Sequence, residues 1–223
     1  MDDLITIAHR AGNSRALLAE SLDAGVDAVE ADLRLDGSRL VARHDHRFPL
    51  LPLYYDKWHA YWSREPQVDL DEILDHLEGK ASLFVDVKSA STRALDMLLA
   101  TLRRRQVIAG TRISGTYWHL LRRLHEEEPG LRLHYTIGDE ESLDRFRQLL
   151  DGSEDMSGVA IHEALVDEDL AARFQSRGIE MVAYHVDEWE RAQQLREWGA
   201  RGITSDDFAL LRALKGQGPP PAG

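Results

Sequence analysis

The chain predicts an α/β fold, a single-domain (β/α)8 TIM barrel, on three observations. Short β-rich runs alternate with amphipathic helical stretches along nearly the whole sequence, eight of each. The length of 223 residues suits one compact barrel of this kind. Chemically capable side chains recur in or just after the strand-like runs, where this fold carries its active sites.

Leu4 to Ala8 is a compact apolar strand ending at His9-Arg10, and Ser14 to Ala24 reads as a helix stopped by Gly25. Ala28 to Leu33 is the second strand. Asp36-Gly37 is a hairpin signal, so Leu40 to Arg43 pairs with or continues that strand before His44-Asp45-His46. Arg47 to Val68, rich in aromatics and carrying three prolines, is too polar and irregular for a packed element. A connection that long in a compact domain is usually functional. Asp69 to Leu77 is helical, and Ser82 to Val87 is the third strand, ending at Lys88.

The alternation then becomes regular. Thr92–Arg105, Tyr117–Glu127, Glu140–Leu150, Asp167–Arg177, Glu188–Trp198 and Asp206–Leu214 read as helices. Arg112–Ser114, Leu131–Tyr135, Gly158–Ile161, Glu180–Tyr184 and Gly202–Thr204 read as strands. The domain is expected over residues 1–214, with 215–223, Gly- and Pro-rich, a disordered tail.

Composition narrows the function. A formal net charge of -12 argues against nucleic acid as a partner, because phosphate backbones require basic patches. The absence of cysteine excludes disulfides and thiolate chemistry. The N-terminus has no basic and apolar leader, and no apolar run reaches membrane-spanning length, so a cytoplasmic protein without a transmembrane segment is expected.

The informative stretch is Val29-Glu30-Ala31-Asp32-Leu33. On a strand, Glu30 and Asp32 project from one face. Two adjacent carboxylates turned inward need a counter-charge, and a divalent cation supplies it economically. Alone, the pattern reads better as a half-exposed strand with a solvated acidic face. Asp86 and Lys88 repeat the two-residue offset on the third strand. Three carboxylates together would give an oxygen-rich site suited to Mg²⁺ or Ca²⁺, with Lys88 offsetting charge or holding a phosphate. The competing reading is a metal-free network in which Asp86 pairs with Lys88 or Arg10.

Ala8-His9-Arg10-Ala11-Gly12, Glu30-Ala31-Asp32, Val41-Ala42-Arg43-His44-Asp45 and Val85-Asp86-Val87-Lys88 resemble successive motifs of the glycerophosphodiester phosphodiesterase family. Ala183-Tyr184-His185-Val186-Asp187 and Gly202-Ile203-Thr204-Ser205-Asp206 resemble its later strand ends. The resemblance implies a metal-dependent TIM barrel hydrolysing glycerophosphodiesters to an alcohol and glycerol 3-phosphate. It implies Glu30, Asp32 and Asp86 as ligands of one cation, Mg²⁺ or Ca²⁺, and His9 and His44 as the acid–base pair. Arg10 and Lys88 would be phosphate ligands. His185 reads as either a substrate contact or a packed barrel residue, as does His162. His46, His59, His76, His119, His125 and His134 read as surface or local structure. Tyr54, Tyr55, Trp58, Tyr61 and Trp62 read as packing over the barrel mouth, or as a lid or acyl-chain surface. The partner is a small-molecule phosphodiester, and the oligomeric state stays open.

The pattern also departs from the family. Asn13-Ser14-Arg15 stands where Pro-Glu-Asn-Thr is usual, Ala11 separates Arg10 from Gly12, the third carboxylate is Asp86 in place of Glu, and Tyr184-His185 replaces Trp-Thr. The short first connection and Asp86 are closer to the sphingomyelinase D-like phospholipases D, which lack the arginine kept here as Arg10. Activity on lysophospholipids and a degenerate, non-catalytic barrel binding a phosphorylated ligand are the alternatives.

Overall fold

The structure, a computed structural model, describes residues 4–48, 51, 53–55, 60–62, 66–151 and 157–217. In chain order it contains β1 (Ile5–Ala8), α1 (Arg15–Asp23), β2 (Ala28–Asp36), β3 (Arg39–Ala42), β4 (His46–Arg47), β5 (Leu53–Tyr55), β6 (Ala60–Trp62), α2 (Leu70–Leu77), β7 (Ser82–Val87) and α3 (Thr92–Arg105). There follow β8 (Thr111–Gly115), α4 (Trp118–Glu127), β9 (Arg132–Ile137), α5 (Glu140–Asp151), β10 (Gly158–His162), α6 (Glu168–Ser176), β11 (Glu180–Tyr184), α7 (Trp189–Glu197), β12 (Gly202–Ser205) and α8 (Phe208–Arg212). Ala213–Gln217 add a last π-helical turn.

Eight parallel strands run in the order β1-β12-β11-β10-β9-β8-β7-β2 and close through β1 and β2. This is the expected (β/α)8 barrel. Helices α2 and α6 start on aspartate caps: Asp69 accepts from Glu72 N at 2.9 Å and Asp167 from Leu170 N at 2.7 Å, each satisfying a donor that the first turn leaves unpaired. Two apolar layers result. The larger lies between strands and helices, from Leu18 and Ile73 round to Phe146, Phe174 and Leu211. The smaller, Ile7, Ala28, Phe84, Ala160 and Val182, fills the middle of the barrel. Polar side chains are left to its two ends.

Two stretches differ from the sequence reading. β2 runs past Leu33 to Asp36, because its outer half pairs antiparallel with β3 after leaving β7 at Leu33. The span from Arg47 to Val68, expected to be irregular, contains the antiparallel sheet β4-β5-β6. Strands of two or three residues are too short to show a period, so cross-strand pairing sets them and the sequence does not announce them. Tyr54 anchors this sheet: it is buried, takes a hydrogen bond from Gln67 at 3.2 Å, and lies 5.9 Å under the Arg43 guanidinium. Phe48, Tyr55 and Trp62 are exposed. Trp58, His59, the side chain of Tyr61 and residues 218–223 lie outside the described residues.

The join between β1 and β2 is narrow, with Ile7 facing Ala28 and Ala8 facing Val29. Asp27 reinforces it by accepting from Thr6 N at 2.9 Å and Thr6 Oγ1 at 2.7 Å, while Lys215 Nζ donates to Asp27 Oδ1 at 2.6 Å. At the N-terminal ends of the strands, His134 is buried inside the barrel, which corrects its reading as surface or local structure. Its Nε2 lies 3.1 Å from Glu180, which takes a second bond from Arg112 Nε at 2.8 Å. Gly158 opposite is obligatory, since a Cβ there would meet the His134 ring at 2.6 Å. No described helix is long and apolar enough to cross a membrane.

Candidate active site

The two-residue offset seen in the sequence is realised at the C-terminal ends of the strands. Glu30 and Asp32 both turn inward from β2 and are buried, and Asp32 stands beside Asp86 of β7 in the ladder. The three carboxylates offer oxygens lying within 4.8 Å of one another. Lys88 stands over them, with Nζ 2.5 Å from Asp86 Oδ2 and 3.1 Å from Asp32 Oδ1.

The turn after β1 is laid against β2. Arg10 adopts left-handed backbone, φ 50°, an uncommon conformation for a residue with a side chain. That turn lets Arg10 N donate to Glu30 Oε2 at 2.6 Å. Residues Ala11–Asn13 form a single 3₁₀ turn whose Gly12 touches β2 so closely that a Cβ would sit 2.6 Å from that of Ala31. The glycine stands one place later than in the usual motif because the tight contact falls there, while Ala11 is itself buried. Asn13 then holds Asp32 at both ends, donating from Nδ2 to Oδ2 at 2.7 Å and accepting from Asp32 N at 3.0 Å.

These contacts split the carboxylates electrostatically. Burial, then the charges of Asp32 and Asp86, push the Glu30 carboxyl well above the usual range. For Asp32 burial pulls the same way, but Lys88, Asn13 and Arg10 outweigh it and hold the group low. Burial alone would lower Lys88; Asp86 and Asp32 raise it, so it stays an ammonium. Asp86 Oδ1 is buried and finds no hydrogen-bond partner among the described residues. An orphaned carboxylate oxygen beside a Glu that is costly to ionise, in an all-oxygen donor set, fits a hard divalent cation. Lys88 only partly meets that need.

The imidazoles flank this cluster. His9 Nδ1 lies 2.9 Å from Asp206 Oδ1, and burial lowers its pKa against the opposing pull of Asp206. His44 Nδ1 lies 3.1 Å from Asp45 Oδ1. Arg34 pins its backbone, donating to His44 O from Nε at 3.1 Å and Nη2 at 2.9 Å, and to Lys88 O at 3.3 Å. His185 also has left-handed backbone, φ 60°, and its ring stands edge-on to His9, centroids 4.4 Å apart. Burial, then His9 and Arg10, push its pKa down to about 4. Tyr184 closes the wall, its hydroxyl donating to Ile137 O at 2.9 Å.

All eight residues singled out in the sequence, His9, Arg10, Glu30, Asp32, His44, Asp86, Lys88 and His185, line one cavity of about 130 Å³. His162 is not among the lining; its Nδ1 accepts from Ala164 N at 3.2 Å. The Lys88 ammonium sits between Asp32 and Asp86, as the metal-free reading anticipated, which leaves Arg10 the more exposed cation at the cavity. The sequence reading missed Asn13, Arg34 and Asp206 as supports. Arg34 was findable, because it continues the inward Glu30, Asp32 series on β2; Asp206 stood in a quoted strand end without a partner to point to.

Residues 57–210, well over half of the chain, match the model of the Glycerophosphoryl diester phosphodiesterase family. Among solved structures, the fold is similar to a glycerophosphodiester phosphodiesterase from Parabacteroides distasonis (TM-score 0.75, 16% identity, 98% of this chain and 99% of that one covered). It is similar to an Oleispira antarctica phosphodiesterase in complex with the product sn-glycerol-3-phosphate (TM-score 0.73, 16% identity, 95% of each chain). A third is a glycerophosphodiester phosphodiesterase from Agrobacterium tumefaciens (TM-score 0.71, 17% identity, 96% and 99%). At these identities the likeness to solved structures speaks for the fold. No curated protein matches the chain.

Proposed function

Because this chain belongs to the glycerophosphoryl diester phosphodiesterase family and is a phosphodiesterase, we propose that it releases glycerol 3-phosphate from glycerophosphodiesters by metal-assisted His/His acid–base catalysis. The observation that carries this reading is the single cavity in which three carboxylates face two imidazoles, each tethered at Nδ1 by an aspartate.

Glu30, Asp32 and Asp86 are the residues that would hold a divalent cation, Mg²⁺ or Ca²⁺. Bound there, such an ion stabilises charge building on the non-bridging phosphate oxygens. Arg10, beside Asp32, binds and orients the phosphate, and Lys88 keeps Asp32 charged and holds Asp32 and Asp86 in place. With its Nδ1 proton donated to Asp206, His9 presents the unprotonated Nε2 to the cavity. Burial keeps it neutral, so His9 takes the proton from the attacking oxygen. His44 gives a proton to the leaving alkoxide. Tyr184 and His185 bound the space left for the headgroup.

The test is glycerol 3-phosphate release from glycerophosphocholine and glycerophosphoethanolamine with Mg²⁺ or Ca²⁺. Release is expected with either ion, lost with EDTA, and lost in His9→Ala and Glu30→Ala. Wild-type turnover in His9→Ala, or undiminished turnover in EDTA, would contradict the mechanism.

A further inference from the structure

We propose that His9, His185 and Asp206 form a second cation site, chemically unlike the first, which takes a transition metal such as Zn²⁺ and by doing so withdraws His9 from acid–base service. The three residues follow β1, β11 and β12, which are consecutive in the barrel wall. Each offers a ligand atom, and these atoms lie within 4.8 Å of one another.

The donor types separate the two sites. Glu30, Asp32 and Asp86 offer only oxygens, the set preferred by hard ions. Two imidazoles and one carboxylate are the set preferred by zinc and its neighbours. Zinc at its usual bond lengths of about 2.0–2.1 Å needs tetrahedral ligands roughly 3.4 Å apart. The 2.9 Å His9–Asp206 pair would open slightly and His185 would close in. Asp206 and His185 are exposed at the mouth, so both have room to turn. The turn after β11 already brings the His185 ring against His9, and among the described residues His185 makes only ring contacts, with His9, His162 and Tyr184. Desolvation of His9, and for the more open His185 partial desolvation together with the Arg10 charge, favour the neutral imidazoles, so their lone pairs are available without a proton leaving.

The consequence for His9 is a change of tautomer. Nδ1 now carries its proton toward Asp206, leaving Nε2 as the base. Coordination through Nδ1 requires that lone pair, so the proton moves to Nε2 and no proton is lost overall. A His9 with Nε2–H cannot accept another from the attacking oxygen. Zinc therefore inhibits without displacing the cation held by the carboxylates.

Cobalt is the probe, because it reports its own coordination. Mg²⁺-saturated protein titrated with Co²⁺ should develop the intense visible d–d bands of four- or five-coordinate cobalt, saturating at one equivalent and bleached by Zn²⁺. Glu30→Gln should keep the bands; His185→Ala and Asp206→Asn should lose them. Where turnover is measured, the Zn²⁺ concentration halving each variant's own rate should rise at least about tenfold in His185→Ala. Weak bands of six-coordinate cobalt alone, bands that survive His185→Ala, or bands lost in Glu30→Gln would overturn the proposal. The spectrum decides whether or not a substrate has been found, so failure here is distinct from failure of the phosphodiesterase reading.

Discussion

The barrel buries charge at both ends. At the N-terminal end one carboxylate, Glu180, lies between Arg112 and His134. Burial would raise it, but His134 and Arg112 outweigh burial and hold it at about 2. At the C-terminal end three carboxylates share the nearby cations Lys88 and Arg10, and Glu30 is pushed the opposite way. The charge of the lower carboxylate is balanced from within the chain. The upper one is left short of positive charge, as a site that must accept a cation requires.

The largest expected effects fall on the upper end. His9→Ala should lower kcat by about 10²–10⁴-fold, read from glycerol 3-phosphate release. Asp206→Asn should lower kcat by about 10–100-fold with KM little changed, because it disturbs the tautomer of His9 while leaving phosphate contacts intact.

Stability separates the ends more cleanly. Glu180→Gln strands Arg112 and His134 and should destabilise by about 1–3 kcal/mol. In metal-free protein, Glu30→Gln removes an under-compensated buried charge and should raise Tm. Paired thermal melts with EDTA check both signs, and equal losses in the two variants would erase the contrast. The smallest effect is the pH dependence. Glu180 ionises more readily folded than unfolded, so its stabilisation is complete above about pH 4.5 and drains away as pH falls toward 2. Glu30 has the reverse sign: its raised pKa makes the folded metal-free state bind a proton first, so acidification relieves strain before Glu180 begins to titrate. Denaturant midpoints across pH should show that early gain in the metal-free wild type and not in Glu30→Gln.

What the sequence disclosed follows from periodicity. Glu30 and Asp32, and Asp86 and Lys88, were legible because a strand repeats every two residues, and the barrel because its strands and helices alternate. His134 was not legible: its sequence neighbours say nothing of Glu180 or Arg112, which arrive from other strands. Asn13 and Asp206 are of the same kind, defined by contacts across 19 and 197 positions. The β4-β5-β6 sheet escaped because strands so short have no pattern before they pair.

The seam between β1 and β2 has a bearing on catalysis. It separates the strand that leads to His9 from the strand that carries Glu30, and it is only two residue pairs wide. Any loosening there parts the proton acceptor from the carboxylates while β1 still leans on β12 and β2 on β7. The clasp of Thr6, Asp27 and Lys215, some way beneath the chemistry, thus guards the working alignment of the mouth.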